Sequence, residues 1–138
     1  MRNANDKSLE RIIDANFNRA KEGLRVCEDV CRFSLNEAKL TQGYKSVRHG
    51  LTRAVSALGI MDAIRSRDIL ADVGRRSTAS ELKRKNIGDI FYANSQRAKE
   101  SLRVLEEFAK LRKTELAEDL KKLRYKVYAL EKNVIEGR

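Results

Sequence analysis

Proline is absent from the 138 residues, and so is tryptophan. A chain without proline carries no built-in helix breaker. Cysteine occurs twice and histidine once, too few for a disulfide framework or a zinc site built from four Cys and His ligands. No apolar run reaches the ~18 residues needed to span a bilayer. The opening Met-Arg-Asn-Ala-Asn-Asp-Lys holds no apolar core of the kind a signal peptide needs. The expectation is a cytoplasmic protein with no membrane partner. Neither Gly-x-x-x-x-Gly-Lys-Ser/Thr nor Gly-x-Gly-x-x-Gly occurs, which excludes the two common nucleotide-binding loops. Glycine is scarce, at 7, while 36% of residues are charged, a balance that favours helices over strands. The length suits one domain, and 41% hydrophobic residues suffice for a core. A net charge of +10 favours anionic partners such as phosphate esters, nucleic acid or acidic headgroups.

A repeat organises the chain. Residues 16–33 read NFNRAKEGLRVCEDVCRF and residues 94–111 read NSQRAKESLRVLEEFAKL. At an offset of 78, nine of these eighteen positions are identical. The following segments match at an offset of 76, which aligns Arg48 with Arg124 and two sets of heptad-spaced apolar residues. Each half, about 8–59 and 87–136, predicts a long helix followed by a second amphipathic helix. The fold class is all-α: an antiparallel helical bundle from two pseudo-symmetric hairpins. A linker over 61–86 joins them. Its Thr78 and Glu81 have capping-box spacing, which predicts a short helix over Ala79–Lys85. The first long helix is expected to start near Asp6 or Ser8, and Asp89 is expected to cap the third.

On a helical wheel with Asn16 at zero, Phe17, Ala20, Leu24, Cys27 and Cys31 fall between about 20° and 100°. Ile12, Val26, Val30 and Phe33 fall between about 260° and 320°. Together they form one wide apolar arc. Lys21, Arg25, Glu28, Asp29 and Arg32 lie on the opposite arc, expected to be solvated. Asn16 and Arg19 lie inside the apolar arc and Glu22 sits at its edge. The second copy repeats this with Asn94, Arg97 and Glu100. These residues are expected to converge on one interior cavity. A buried cation needs a partner or a ligand, and two readings stay open. One is an internal Arg–Glu and Asn network that pairs the halves. The other is an anion site, with arginines gripping phosphate and asparagine amides reading a heterocycle.

The linker adds Arg65, Arg67, Arg75 and Arg76 near Gly74, whose backbone could approach a phosphate. Asp68 and Asp72 are four apart and could hold Mg²⁺ beside phosphates, or act as local caps. Cys27 and Cys31 share a face that is Leu105 and Ala109 in the second copy, so they read as small core residues carrying neither metal nor disulfide. His49 falls opposite its helix's apolar stripe and is expected to be exposed.

The pattern Asn-x-x-Arg-Ala-x-Glu-x-Leu-Arg-Val-x-Glu-Asp at 16–29, its echo at 94–107, and Arg67-Asp68 with Asp72-Val73-Gly74 resemble a known family. It is the all-helical domain associated with bacterial thiamine phosphate synthase, found fused to that enzyme or alone. The resemblance covers about residues 8–135 and implies hydroxymethylpyrimidine phosphate kinase activity, unlike the ribokinase-like kinases. It implies ATP and Mg²⁺ as co-substrates and a small phosphorylated pyrimidine as acceptor. Self-association and association with a thiamine phosphate synthase are the protein partnerships to consider. No catalytic residues come with the resemblance. From wheel position and loop chemistry, Arg19, Arg48, Arg67 and Arg97 are candidate phosphate clamps. Asp68 and Asp72 are candidate metal ligands, with Arg67 and Asp72 nearest the chemistry. Asn16, Glu22, Gly74, Asn94 and Glu100 complete the candidate substrate set. Two alternatives remain: a non-catalytic domain binding a thiamine precursor, and a basic module for nucleic acid or protein. The last explains the charge but not two inward Asn/Arg sets, so nucleic acid is the weaker reading.

Overall fold

The computed structural model describes residues 4–59, 67–74 and 83–137. Among these residues four long helices carry the fold: α1 (Ala4–Asp29), α2 (Ala38–Ala57), α3 (Ile87–Ala109) and α4 (Thr114–Ile135). Among the described residues there is no strand, and no helix is long and apolar enough to cross a membrane. α1 packs on α2 and α3, and α4 packs on α3 and α2. This closes a four-helix ring around one core, as the sequence predicts.

The core follows the 3.6-residue period. Ile13, Leu24 and Cys27 of α1 meet Tyr44, Val47 and Leu51 of α2, Leu102 and Leu105 of α3, and Leu120 and Val127 of α4. Each is at most 1% exposed. The halves also share polar details. Arg48 Nε donates to Glu28 Oε1 at 3.0 Å, and Arg124 Nε donates to Glu106 Oε2 at 2.9 Å. Asn16 Nδ2 donates to Ile12 O at 2.9 Å, and Asn94 Nδ2 donates to Ile90 O at 2.8 Å. These matched bonds support a duplicated hairpin, with 8–59 and 87–136 as its copies, as our proposal for the organisation of the domain.

The ends differ from expectation. α1 is already helical at Ala4, ahead of Asp6, and its α-helical hydrogen bonding stops at Asp29. One π-turn, Val30–Ser34, follows. It closes with Leu35 N–H on Val30 O at 3.0 Å. Asn36 then takes φ 54°, the left-handed conformation that ends helices and that asparagine tolerates. At the start of α3 the cap is Asn86, whose side chain accepts from Asp89 N at 2.8 Å. Asp89 lies inside the first turn and accepts from Lys85 N at 3.0 Å. The two side chains satisfy each other's neighbouring backbone donors, which displaces Asp89 from the capping role. In the linker, Arg65, Arg75, Arg76, Thr78, Glu81 and residues 79–82 of the expected short helix lie outside the described residues. Residues 83–85 are not helical.

α1 and α3 approach each other backbone to backbone at Gly23. A Cβ placed on Gly23 would lie 2.8 Å from Asn94 O and 3.4 Å from Ala98 N. Glycine is required there because backbone sits opposite. The equivalent position in the second half is Ser101, also small and 3% exposed.

Candidate functional site

The buried arc of α1 is rotated from the one the wheel predicts. Phe17, Ala20, Leu24, Cys27 and Cys31 are buried. On their far side, at about 120–160° on the same wheel, Glu10, Asp14 and Glu28 are 2%, 4% and 3% exposed. Each meets an arginine from elsewhere in the chain. Arg112 Nη2 reaches Glu10 at 3.2 Å, Arg67 reaches Asp14 at 2.6 Å, and Arg48 reaches Glu28 at 3.0 Å. Glu28, expected on the solvated arc, is a core residue because Arg48 neutralises it. The other half of the apolar arc is less enclosed: Ile12, Val26 and Val30 are half-buried, with Val30 packed against the core. Phe33 is 68% exposed, and it lines a groove with Val26, Val30, Ile87 and Ile90.

This rotation turns Asn16 and Arg19 towards a second outer groove, of about 360 Å³. α1 supplies Ser8, Arg11, Ile12, Ala15, Asn16 and Arg19, and the linker supplies Asp68, Ile69 and Asp72. Asn16 lines the groove at 5% exposure. Arg19 stands exposed on a wall, not in the interior, because the helix core lies further round the wheel. Glu22 is exposed as well.

The linker is fastened to α1 by a bidentate ion pair. Arg67 Nε and Nη2 donate to Asp14 Oδ2 and Oδ1 at 2.6 and 2.9 Å. Asn18 Nδ2 supports the same carboxylate at 3.2 Å. The hydrogen bond to Asp14 raises the Arg67 pKa above its ordinary value. Arg67 is thus engaged as a tether that places Asp68 and Asp72 over the groove. Asp68 Oδ1 accepts from Ala71 N at 3.1 Å, and Asp72 Oδ1 accepts from Gly74 N at 2.9 Å. The Gly74 N–H is thereby occupied within the loop. The two aspartates shape the turn and each keeps a second carboxylate oxygen. Among the described residues, no group of three or more His, Cys, Asp or Glu is placed to hold a metal ion. Asp68 and Asp72 are both exposed at the groove, and carboxylates of this kind could hold a divalent cation together with water and phosphate oxygens.

The remaining candidates lie elsewhere. Arg48 is buried against Glu28, away from the groove. Asn94 is half-buried, while Arg97 and Glu100 are exposed. Glu100 Oε1 accepts from Gln96 Nε2 at 2.9 Å. These three do not line the groove, because α1 and α3 cross where Asn94 meets Gly23. That point is seven residues, or roughly 10 Å of helix, from Asn16. Convergence of the two Asn/Arg sets is therefore not what the structure shows. Sequence reasoning missed Arg11 and Asp14. Arg11 is two helical turns from Arg19 on a neighbouring face, a spacing that could have drawn notice. Asp14 had no signal of its own, since only the returning linker gives it a partner.

The residues of the groove, Ser8 apart, fall within the match to a family model, which covers 11–133. The chain belongs to the ThiD2 family. This ThiD2 domain is 41% identical over 130 residues to a thiamine-phosphate synthase of Rhodopirellula baltica, covering 94% of this chain and 35% of that protein. It is 42% identical over 137 residues to one from Synechocystis, covering 98% of this chain and 38% of the relative. A third, from Thermosynechococcus vestitus, is 44% identical over 124 residues, covering 89% of this chain and 34% of the relative. The ThiD2 chain thus spans little more than a third of the curated relatives it matches. No solved structure matches it.

Cys27 and Cys31 of this ThiD2 domain are fully buried, and the Cys27 thiol points at Phe91 O, 3.8 Å away. Burial first, and mutual repulsion second, push Cys27 from an ordinary 9.0 to about 12. Burial and Glu37 push Cys31 to about 11. A raised thiol pKa favours the folded state below the unfolded value and loses that contribution as pH climbs towards the folded value. We expect native protein at pH 8 to resist a thiol reagent that labels urea-unfolded protein at once. Stability should fall between about pH 9 and 11, and less so after Cys27→Ala with Cys31→Val. Rapid native labelling would show that the thiols are accessible.

Proposed function

We propose that this domain phosphorylates hydroxymethylpyrimidine phosphate, using ATP with Mg²⁺. Family membership and homology with thiamine-phosphate synthases tie it to thiamine biosynthesis, and the kinase activity is our reading of the family resemblance together with the groove. The observation that carries it is the placing of Asn16 and Arg19 on one wall of a groove faced by Asp68 and Asp72. Asn16 Oδ1 is left to accept from a ring amino group, since its amide nitrogen is engaged with Ile12 O. Arg19, three residues on, can grip the phosphate of the same ligand. In the reaction an oxygen of that phosphate attacks the γ-phosphorus of ATP. The β–γ bridge breaks, and ADP and the pyrimidine diphosphate leave. Nearly all of the work is positioning and charge neutralisation. Arg19 offsets the charge of the attacking phosphate, and the Arg67–Asp14 tether holds the aspartates in place. When Mg²⁺ is bound with the nucleotide, Asp68 and Asp72 would hold it, and it would offset phosphate charge. The same reading includes a cytoplasmic location and association with a thiamine-phosphate synthase, since the relatives carry this domain within a longer chain.

The test is a coupled ADP-release assay with the pyrimidine monophosphate. Arg19→Ala should lower kcat/KM by about 10- to 150-fold, the worth of one charge-assisted contact. Its helical circular dichroism should be unchanged, because the side chain is exposed. Binding of the pyrimidine with no ATP consumption would leave a sensing domain. Neglect of the pyrimidine, with salt-steep DNA binding, would favour the basic face between α2 and α4, where Arg53, Lys122 and Lys126 line a separate groove.

A further inference from the structure

We propose that Arg11 binds the polyphosphate of the nucleotide donor, leaving Arg19 and Asn16 to the pyrimidine phosphate. This assignment rests on the kinase reading above. Among the described residues, Arg11 and Arg19 are the guanidiniums that line the groove, and both are exposed. Neither has an ion-pair or hydrogen-bonding partner among the described residues. Arg67, the third arginine nearby, is held by Asp14 through two hydrogen bonds. The groove therefore offers two free cationic ends.

Their positions differ in a way that sorts the ligands. Eight residues separate them, roughly 12 Å along the helix axis. That is more than a small pyrimidine with one phosphate on a short arm can span. Two such ends suit two anionic ligands, as a group transfer between phosphates requires. Arg19 sits at about 300° on the α1 wheel and Asn16 at zero. Both lie towards Gly23, where α3 crosses, so ring edge and phosphate are read together on that wall. Arg11 sits at about 220°, towards Asp14 at about 160°, and Asp14 is where the linker attaches. Arg11 thus stands on the same side as Asp68 and Asp72. A triphosphate brought beside two carboxylates needs a cation to offset the repulsion, and Arg11 supplies one in addition to any metal the nucleotide carries.

Isothermal titration separates the roles. The full chain is titrated with a non-hydrolysable ATP analogue plus Mg²⁺, and separately with the pyrimidine monophosphate. Arg11→Ala should weaken the nucleotide analogue by about 10- to 150-fold while changing pyrimidine affinity by less than about twofold. Arg19→Ala should do the reverse. Arg11→Lys should recover part of the nucleotide affinity, and Arg53→Ala, in the separate groove, should change neither. The KM for ATP in the turnover assay should rise in Arg11→Ala alone. If wild-type protein binds both ligands and Arg11→Ala leaves nucleotide affinity intact, or weakens the pyrimidine instead, the assignment is wrong and the kinase reading stands. If wild-type protein binds the pyrimidine but no nucleotide, or binds neither, the kinase reading fails and takes this assignment with it.

Discussion

Replacing Glu28 by Ala is expected to lower the unfolding free energy by about 3–5 kcal/mol, the range for removing one partner of a buried ion pair. Arg48 is 8% exposed and Glu28 is 3% exposed. Their 3.0 Å contact joins α1 to α2 from within the bundle. Truncating Glu28 leaves a guanidinium with no water to turn to. Domains of this size have about 5–15 kcal/mol in total, so the variant should sit near the edge of folding. Glu106→Ala should behave alike, since Glu106 is 4% exposed and holds Arg124. Substituting both partners by Leu and Met, as Glu28→Leu with Arg48→Met, should cost far less than Glu28→Ala alone, because no charge is left uncompensated. Urea titration of the three variants makes the comparison. A Glu28→Ala loss under about 1 kcal/mol, with Arg48→Ala folded but unable to bind the pyrimidine phosphate, would return Arg48 to the ligand set.

Gly23→Val should be the other severe substitution. The new Cβ would stand 2.8 Å from Asn94 O, and a helix carbonyl cannot rotate out of the way. Overpacking costs about 1–3 kcal/mol and occasionally more. The helix-propensity gain on leaving glycine is under about 1 kcal/mol. A branched side chain adds two methyl groups to the same gap, so we expect a loss at or above the top of that range, with α1 and α3 forced apart beside the groove. Gly50 is the control. A Cβ there meets the tip of Leu123, 2.9 Å away. That tip can move, so Gly50→Ala should stay within about 1 kcal/mol of wild type. Equal stability of Gly23→Val and wild type by thermal or urea unfolding would mean that the helices are not so close.

Much of the architecture can be read before any coordinates. The 16–33 and 94–111 segments carry apolar residues at helical spacing and repeat each other. That spacing gives each segment one face to bury as a helix, which predicts α1 and α3 before their neighbours are known. The cysteines were legible for a related reason. Their counterparts, Leu105 and Ala109, have no polar chemistry to offer, and both are fully buried. The paired roles of Arg48 and Arg124 were half legible. Their alignment showed that they do the same thing, without showing that the thing is to hold Glu28 and Glu106.

Which charged residues go inside was decided by tertiary structure alone. An apolar arc as wide as that of α1 is compatible with several rotations of the helix. The sequence does not encode where its neighbours stand. With α2 supplying Arg48 and the linker supplying Arg67, the carboxylates of Glu28 and Asp14 become cheap to bury. The helix turns to bury them, and Arg19 and Phe33 rotate outward as a consequence. The same turn opens the groove over Asn16. Helix content, the repeat and family membership were set by local spacing and residue identity. The groove, with Arg11 and Arg19 beside Asp68 and Asp72, exists only because distant parts of the chain meet.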